Sequence, residues 1–181
     1  IQPLIESELE KKYFLRIMRS IVKAYWDTNL PIYMISHSKL QKEGINCLFI
    51  DVDGTLINRK STTLSKEVKN WIIESKKLFS LYLISNNPSK GRIGKIGKEL
   101  KIRYKFNALK PRIKSTLDAI NEVKTDKENI AIIGDRIFTD IIVGNRCNIK
   151  TILVKRLDKK GLPIRFNFTL ILEKFISFFL R

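Results

Sequence analysis

The sequence predicts an α/β protein in which helices flank a central parallel sheet. Short apolar runs without polar alternation recur along the chain, as in strands that are buried on both faces. Segments with apolar residues at helical spacing separate these runs, so that strand and helix alternate regularly. The chain has 181 residues, which is long enough to bury the core of one such domain.

Four apolar runs are predicted to form the strands. They are Cys47–Ile50, Leu81–Ile84, Ile130–Ile133 and Thr151–Val154. Continuous apolar runs of this length are typical of strands that are covered by helices on both sides of a sheet.

Three helices are predicted between the strands, because apolar residues there recur at spacings of three and four. Pro88 and Pro111 lie near the starts of two of these helices, where proline is well tolerated because the first N–H groups have no partner in the helix. The three helices cover 64–78, 88–100 and 112–123.

The chain is expected to divide into three parts. Residues 1–44 hold an amphipathic helix over 4–26 and a mixed connector, and residues 45–157 form the core. Residues 158–181 hold a loop and an apolar helix that begins at Phe166.

The composition limits the partners and the compartment. The chain carries 35 Lys and Arg against 18 Asp and Glu, a net charge of +17, which favours a negatively charged partner. Lys is spread along the whole chain, however, so a general compositional bias would give the same count.

No apolar stretch approaches the roughly 18 residues of a transmembrane helix, and no signal peptide is evident. The two Cys have neither metal-ligand nor disulfide-framework spacing, which favours a reducing compartment, so we expect a cytoplasmic protein. The single His leaves little room for histidine-based catalysis or a multi-His metal site.

Polar clusters follow three of the predicted strands, and an isolated lysine precedes the third helix. Ligands of an open parallel sheet bind at the carboxyl ends of its strands, so we expect these side chains to meet at one edge. The residues are Asp51, Asp53, Ser85, Asn86, Lys110, Asp135 and Asp140.

These residue types are suited to phosphoryl transfer, whose demands are mainly positioning and electrostatic stabilisation. Asp51 is placed to attack phosphorus and form an aspartyl-phosphate. Asp53 follows two residues later and is the candidate general acid and base. Mg²⁺ prefers oxygen ligands, which Asp51, Asp135 and Asp140 can supply.

Ser85, Asn86 and Lys110 are the candidate ligands of the transferred phosphoryl group. A hydroxyl, a neighbouring backbone N–H and an ammonium can together hold its oxygens. Structural roles stay open: helix capping would also explain Ser85, Asn86 and Asp135, and a helix dipole would also explain Asp140.

The clusters lie in four motifs: DVDGTL (51–56), SNN (85–87), LKP (109–111) and GDRIFTD (134–140). In this order they resemble the motifs of haloacid-dehalogenase-type phosphatases. The finer likeness is to subfamily IIIA, the YqeG-like branch that includes phosphatidylglycerophosphate phosphatases, although Gly54 stands where that branch often has Asn or Arg.

The resemblance implies a Rossmann-like fold and a Mg²⁺-dependent phosphatase that hydrolyses phosphatidylglycerophosphate to phosphatidylglycerol. It implies that Asp51 is the nucleophile and Asp53 the acid and base, with the Asp53 backbone carbonyl also on the metal. The other implied roles are phosphoryl binding by Ser85 and Lys110, metal binding by Asp135, and direct or water-mediated metal binding by Asp140.

No cap domain is expected over the site, because residues 57–80 and 88–109 have room for a helix and loops only. An open site suits a phosphate on a bulky substrate such as a lipid headgroup. The two terminal helices would suit peripheral docking on an anionic membrane, but they could equally pack on the sheet. No nucleic-acid-binding motif is found, so no nucleic acid partner is expected. The oligomeric state is left open.

Two alternatives to the lipid substrate are kept. The same chemistry could act on a soluble sugar phosphate, a nucleotide or a nucleic-acid end. A non-catalytic adaptor that binds membrane or nucleic acid is the alternative of another class, although an adaptor has no need of the intact acidic and basic set.

Three further features receive structural interpretations. Gly91, Gly94 and Gly97 are three apart on a predicted helix and are interpreted as allowing close packing. His37 is interpreted as an incidental loop residue, and Cys147 as a buried one.

Overall fold

The computed structural model describes residues 12–13, 16–61 and 63–158. Its centre is a six-stranded sheet in which all neighbouring strands are parallel, in the order β1-β6-β5-β2-β3-β4. The strands are β1 (Trp26–Asp27), β2 (Cys47–Ile50), β3 (Ser80–Ile84), β4 (Arg103–Lys105), β5 (Ile130–Gly134) and β6 (Lys150–Leu153).

Five helices connect or flank these strands, and residues 16–22 are also helical. Two short 3₁₀ turns lie at Ile32–Met34 and Lys127–Asn129, and a π-helical turn at Ile137–Ile141 leads into the last helix. The helices are α1 (His37–Lys42), α2 (Lys66–Leu78), α3 (Lys90–Leu100), α4 (Lys114–Val123) and α5 (Ile142–Arg146).

The sheet separates two apolar clusters. In β2, Leu48 and Ile50 belong to one cluster, whereas Cys47 and Phe49 belong to the other. Helices α2 and α3 pack into the first cluster, and α4 and α5 into the second. This arrangement confirms the predicted fold class, a parallel sheet with helices on both faces.

The four predicted strands are confirmed, each to within one residue of its predicted ends. The sequence analysis missed the two edge strands, β1 and β4. They have two and three residues, and their polar or exposed positions carry no apolar run. The helix predicted over 4–26 extends too far in the described part, because helical residues end at 22 and Trp26 lies in β1.

The connector predicted over 27–44 packs into the core. Ile32, Ile35 and Leu40 are buried in the cluster that contains α2 and α3. His37 is not an incidental loop residue: it begins α1, its ring stacks on Trp71 with centroids 5.2 Å apart, and its Nε2 lies 2.8 Å from the Ser75 hydroxyl. The predicted apolar helix at the C-terminus lies outside the described residues, and the three-part division of the chain stays a prediction.

The helix starts decide one of the open alternatives. Ser89 caps α3 by accepting a hydrogen bond from the backbone N–H of Arg92. Ser85 and Asn86 therefore do not cap this helix. The close-packing interpretation holds for Gly94 and Gly97, where a Cβ atom would meet Tyr104, but not for Gly91, which faces open space. Cys147 is buried, as predicted.

Within the described ranges, no helix is long and apolar enough to cross a membrane. Between β2 and β3 the described chain forms a loop and α2, and between β3 and β4 it forms α3. Neither connection holds an inserted domain, as expected.

Candidate active site

Asp51 directly follows β2, at the carboxyl edge of the sheet. Its backbone N–H donates to the carbonyl oxygen of Ile133 at 2.9 Å, which continues the pairing of β2 with β5. The residue is 7% exposed, and its Oδ2 accepts a hydrogen bond of 3.4 Å from the Thr55 hydroxyl. The end of the sheet ladder thus fixes the carboxylate, and Thr55 orients it.

Lys110 reaches the same edge from the segment before α4. Its ammonium donates to Asp51 Oδ1 at 2.8 Å, to Asp140 Oδ1 at 2.6 Å and to the carbonyl oxygen of Ile84 at 2.8 Å. Its three N–H groups therefore have three acceptors, which is how a buried ammonium is normally satisfied. Lys110 is not a solvated surface lysine.

Asp140 and Asp135 complete the buried charge cluster. Asp140 lies in the π-helical turn after β5, and its Oδ2 accepts the backbone N–H of Arg136 at 3.2 Å. Such turns are frequent at functional sites. Asp135 directly follows β5, and its Oδ2 accepts a short hydrogen bond from the Arg156 guanidinium.

Burial and mutual repulsion change how these groups hold protons. Burial, followed by the charges of Asp140 and Asp53, raises the pKa of Asp51 to about 6 in spite of the Lys110 charge. The pKa values of Asp135 and Asp140 are also raised, mainly by burial. Burial alone would lower the pKa of Lys110, but the Asp140 and Asp51 carboxylates raise it well above its usual range, so Lys110 is a permanent cation.

Asp51, Asp135 and Asp140 can converge on a cation. One carboxylate oxygen from each lies within 4.8 Å of the other two. Asp135 Oδ1 is buried and has no hydrogen-bond partner among the described residues. Three hard oxygen donors, one of them unpartnered, fit Mg²⁺. This carboxylate group supports the predicted Mg²⁺ cofactor.

The Asp53 side chain lies at the rim of the site, outside this group of three carboxylates. Its Oδ2 accepts a hydrogen bond of 2.6 Å from the Asn87 amide, and its Oδ1 pairs with the Arg92 guanidinium at 2.9 Å. The predicted metal contact of Asp53 was through its backbone carbonyl, and that contact stays a prediction.

Ser85 and Asn86 lie at the end of β3 beside Lys110. The Ser85 hydroxyl accepts the backbone N–H of Asn87 at 3.1 Å. The Asn86 amide accepts the backbone N–H of Lys110 at 2.7 Å and donates to the Lys110 carbonyl oxygen at 2.8 Å. The Asn86 side chain therefore holds the main chain of Lys110, and a contact of Asn86 with phosphate stays a prediction.

A small cleft of about 30 Å³ opens at this edge of the sheet. Five of the seven predicted site residues line it, whereas Asp135 and Asp140 are buried and do not. The five are Asp51, Asp53, Ser85, Asn86 and Lys110.

The sequence analysis missed several residues of this site. Arg92 and Asn87 hold Asp53, and Arg156 pairs with Asp135. Arg156 could have been found, because it follows the β6 strand whose carboxyl end reaches the same edge. Arg92 could not have been found in this way, because it lies on a helix and does not follow a strand. Its position in the sequence does not indicate which carboxylate it will meet.

A larger groove of about 460 Å³ lies beside β4 and is lined by residues of α3, β3, β4 and α4. It shares no lining residue with the small cleft. The predicted chemistry therefore belongs to the smaller opening.

Comparison with known proteins agrees with this geometry. Residues 108–159 match the model of a family of HAD-hydrolase-like proteins. Over 137 residues the chain is 28% identical to "Probable phosphatase YqeG" of Bacillus subtilis strain 168, an alignment that covers 75% of this chain and 80% of that protein.

Solved structures share the fold. An uncharacterized protein from Listeria monocytogenes serotype 4b superposes with a TM-score of 0.52 at 19% identity, covering 67% of this chain and 83% of the other. The cobalt-bound deoxy-D-mannose-octulosonate 8-phosphate phosphatase of Haemophilus influenzae superposes with a TM-score of 0.50 at 16% identity, covering 68% and 84%.

The predicted resemblance is confirmed by the match of residues 108–159 to the family and by the match to YqeG, and the parallel sheet agrees with it. The enzyme class expected from that resemblance is confirmed with it. The chain is thus similar to the haloacid-dehalogenase-like hydrolases in its motifs, its fold and its match over residues 108–159, and to a probable phosphatase along three quarters of its length.

Proposed function

We propose that this chain hydrolyses phosphatidylglycerophosphate to phosphatidylglycerol through an aspartyl-phosphate on Asp51. The observation that carries the mechanism is the contact of one buried ammonium, Lys110, with both Asp51 and Asp140 at the floor of an open cleft. Opposite charges held together in this way keep a carboxylate ionised and aimed although it is buried.

The first step is an attack by a carboxylate oxygen of Asp51 on phosphorus, which forms the aspartyl-phosphate and breaks the ester bond. Lys110 and Ser85 hold the transferred oxygens, because both side chains line the cleft beside Asp51. Lys110 must then exchange one of its three acceptors, such as Asp51, for a phosphoryl oxygen. Asn86 is a positioning residue in this mechanism, since its amide fixes the main chain of Lys110.

Asp53 supplies the proton to the leaving alcohol oxygen and then takes a proton from the water that hydrolyses the aspartyl-phosphate. In the observed arrangement both of its carboxylate oxygens accept hydrogen bonds, from Asn87 and Arg92. These two contacts hold the Asp53 carboxyl at the rim of the cleft, and a protonated Asp53 can keep accepting them while its O–H donates to the leaving oxygen.

Asp51, Asp135 and Asp140 would hold Mg²⁺, together with the backbone carbonyl of Asp53. When bound, the ion supplies positive charge that offsets the repulsion between a carboxylate and a phosphate dianion. The unpartnered Oδ1 of Asp135 and the closeness of the three carboxylates support this ligand set.

The lipid substrate is supported by the YqeG-like sequence motifs and by the open site. No inserted domain covers the cleft within the connections that follow β2 and β3, so a phosphate on a large headgroup can enter. A net charge of +17 would favour approach to an anionic membrane surface.

The decisive experiment measures phosphate release from phosphatidylglycerophosphate in vesicles and from a panel of soluble phosphate esters that includes 3-deoxy-D-manno-octulosonate 8-phosphate. We expect Mg²⁺-dependent release from the vesicles. Rapid turnover of a soluble ester with no release from vesicles would overturn the lipid assignment.

The mechanism is tested separately with Asp51→Asn. This variant should lose measurable turnover while keeping its folded circular dichroism spectrum, because the amide cannot form the aspartyl-phosphate. Activity equal to that of the wild type would exclude Asp51 as the nucleophile. Absence of turnover on every ester by the wild-type chain would instead favour the non-catalytic adaptor.

A further inference from the structure

The rim of the cleft carries two arginines that the proposed chemistry does not use, Arg59 and Arg136. Both line the cleft together with Asp51, Asp53 and Lys110. They come from the segments after two neighbouring strands, since Arg59 lies after β2 and Arg136 follows β5.

The other cations of the site are already committed. Lys110 bonds to Asp51 and Asp140, Arg92 pairs with Asp53, and Arg156 pairs with Asp135. By contrast, no hydrogen bond or ion pair is found between the Arg59 side chain and any described residue. Among the described residues, the Arg136 side chain makes one long contact, with its Nε 4.0 Å from Asp135 Oδ2, and it is 42% exposed.

The turn that carries Arg59 is held in place at both ends. The Arg92 guanidinium donates to the backbone carbonyl oxygens of Asn58 and Ser61. The Asn58 side chain accepts the backbone N–H of Lys60 at 2.9 Å and donates to the Leu157 carbonyl oxygen at 3.2 Å. Arg59 therefore projects from a turn whose position is fixed relative to Asp53, because Arg92 binds both.

We propose that Arg59 and Arg136 determine specificity by binding a second anionic group of the substrate, beyond the phosphate that is hydrolysed. This inference rests on the proposed phosphatase function. An arginine fork can hold a phosphodiester or a carboxylate with paired hydrogen bonds, and two such forks flank the opening through which the leaving group must extend. A monoester without a second anion would gain nothing from them.

The test compares soluble phosphate monoesters with and without a second anion. Glycerophosphoryl-glycerophosphate carries a phosphodiester next to its terminal phosphate, whereas glycerol 3-phosphate lacks one, and neither has a lipid chain. The sugar acid 3-deoxy-D-manno-octulosonate 8-phosphate replaces the phosphodiester with a carboxylate. Comparing these esters shows whether the arginines bind a phosphodiester or a carboxylate.

We expect Arg59→Gln and Arg136→Gln each to raise KM for an ester with a second anion by about five- to tenfold. For glycerol 3-phosphate, kcat/KM should stay within about twofold of the wild-type value, because the charge on the reacting phosphate is handled by Lys110. Lys60→Gln is the matched control, since Lys60 lies in the same turn but does not line the cleft, and it should leave every substrate unaffected.

Equal losses on glycerol 3-phosphate and on the doubly anionic esters, or no loss on either, would overturn the proposal. Calorimetric binding of the same esters in an Asp51→Asn background keeps the test independent of turnover. A wild-type chain that hydrolyses neither these esters nor phosphatidylglycerophosphate in vesicles would refute the proposed function, whereas binding that does not weaken with Arg59→Gln and Arg136→Gln would refute this inference alone.

Discussion

The ammonium nitrogen of Lys110 lies 2.6 Å from a carboxylate oxygen of Asp140, and both side chains are only 1% exposed. The same nitrogen lies 2.8 Å from Asp51. One buried cation thus faces two buried carboxylates, with Asp135 close by. This excess of negative charge is costly in the folded chain by itself, and a divalent cation would offset it.

Loss of Lys110 should therefore destabilise the fold strongly. Lys110→Met leaves Asp51 and Asp140 buried without their common partner, and breaking a buried pair in this way costs about 3–5 kcal/mol. Urea denaturation at pH 7 in the presence of a chelator measures the change in the free energy of unfolding.

The matched control is Lys105→Met. Lys105 pairs with Glu122 at 2.9 Å, but both side chains are more than a third exposed, so its loss should cost less than about 1 kcal/mol. If the two variants lose equal free energy of unfolding, the buried contacts of Lys110 with Asp51 and Asp140 contribute no more to stability than an exposed ion pair does.

The stability of the metal-free protein should fall as the pH rises from about 4 to about 6. The pKa of Asp51 is raised from its ordinary value of 3.8 to about 6 in the folded chain, first by burial. The unfolded chain therefore releases this proton at lower pH than the folded one, so the favourable contribution is fully present below pH 4 and is lost as the pH rises through 6. The contribution of Asp51 is on the order of 3 kcal/mol.

Urea denaturation at a series of pH values with a chelator checks this prediction, and Asp51→Asn isolates the contribution. The variant should lack the part of the pH dependence between pH 4 and 6 that the wild type shows. Added Mg²⁺ should raise the melting temperature more at pH 7 than at pH 5, because its carboxylate ligands must be ionised. A Mg²⁺ effect of equal size at both pH values would contradict the ligand set.

The sequence predicted the central strands and most of the site because the apolar runs that indicate the strands also show where the site residues must lie. Asp51 and Asp135 each directly follow a continuous apolar strand, and the edge where parallel strands end is fixed by topology. The edge strand β4 was missed because Arg103 and Lys105 give it no apolar run, although β3 supplies the partner that makes it a strand.

Contacts between distant segments could not be predicted in the same way. Arg92 meets Asp53 across 39 positions of the chain, and a periodic pattern does not indicate such a pairing. His37 is similar: it is the only histidine, and only the fold shows that it stacks on Trp71. The bond between the Asn86 amide and the main chain of Lys110 is another such contact, because 24 positions separate the two residues.

Arg92→Met should reduce both stability and catalysis. The guanidinium joins Asp53 to the carbonyl oxygens of Asn58 and Ser61, so its removal frees the acid and the turn together. We expect a loss of about 2–3 kcal/mol in unfolding free energy, as for other charged hydrogen bonds that are partly buried, and a fall in kcat of about tenfold or more.

Denaturation and steady-state kinetics check this prediction, with Lys95→Met as the control on the exposed face of α3. Arg92→Lys should not restore activity, because two separate guanidinium nitrogens reach Ser61 and Asp53, and a single ammonium nitrogen cannot occupy both positions. Full activity of the lysine variant would show that charge alone is sufficient.

Gly54 and Gly91 should respond in opposite directions to the same substitution. Gly54 has φ +105°, and a Cβ atom there would lie 2.6 Å from a carboxylate oxygen of Asp135. Gly54→Ala must therefore strain the backbone and displace a proposed metal ligand. In α3, Gly91 meets nothing within 4 Å, so Gly91→Ala should stabilise the protein by about 0.5–1 kcal/mol. In calorimetric titration, Gly54→Ala should weaken Mg²⁺ binding by at least about tenfold, whereas Gly91→Ala should leave it unchanged. Equal Mg²⁺ affinities in the two variants would mean that Asp135 does not need the space that Gly54 leaves.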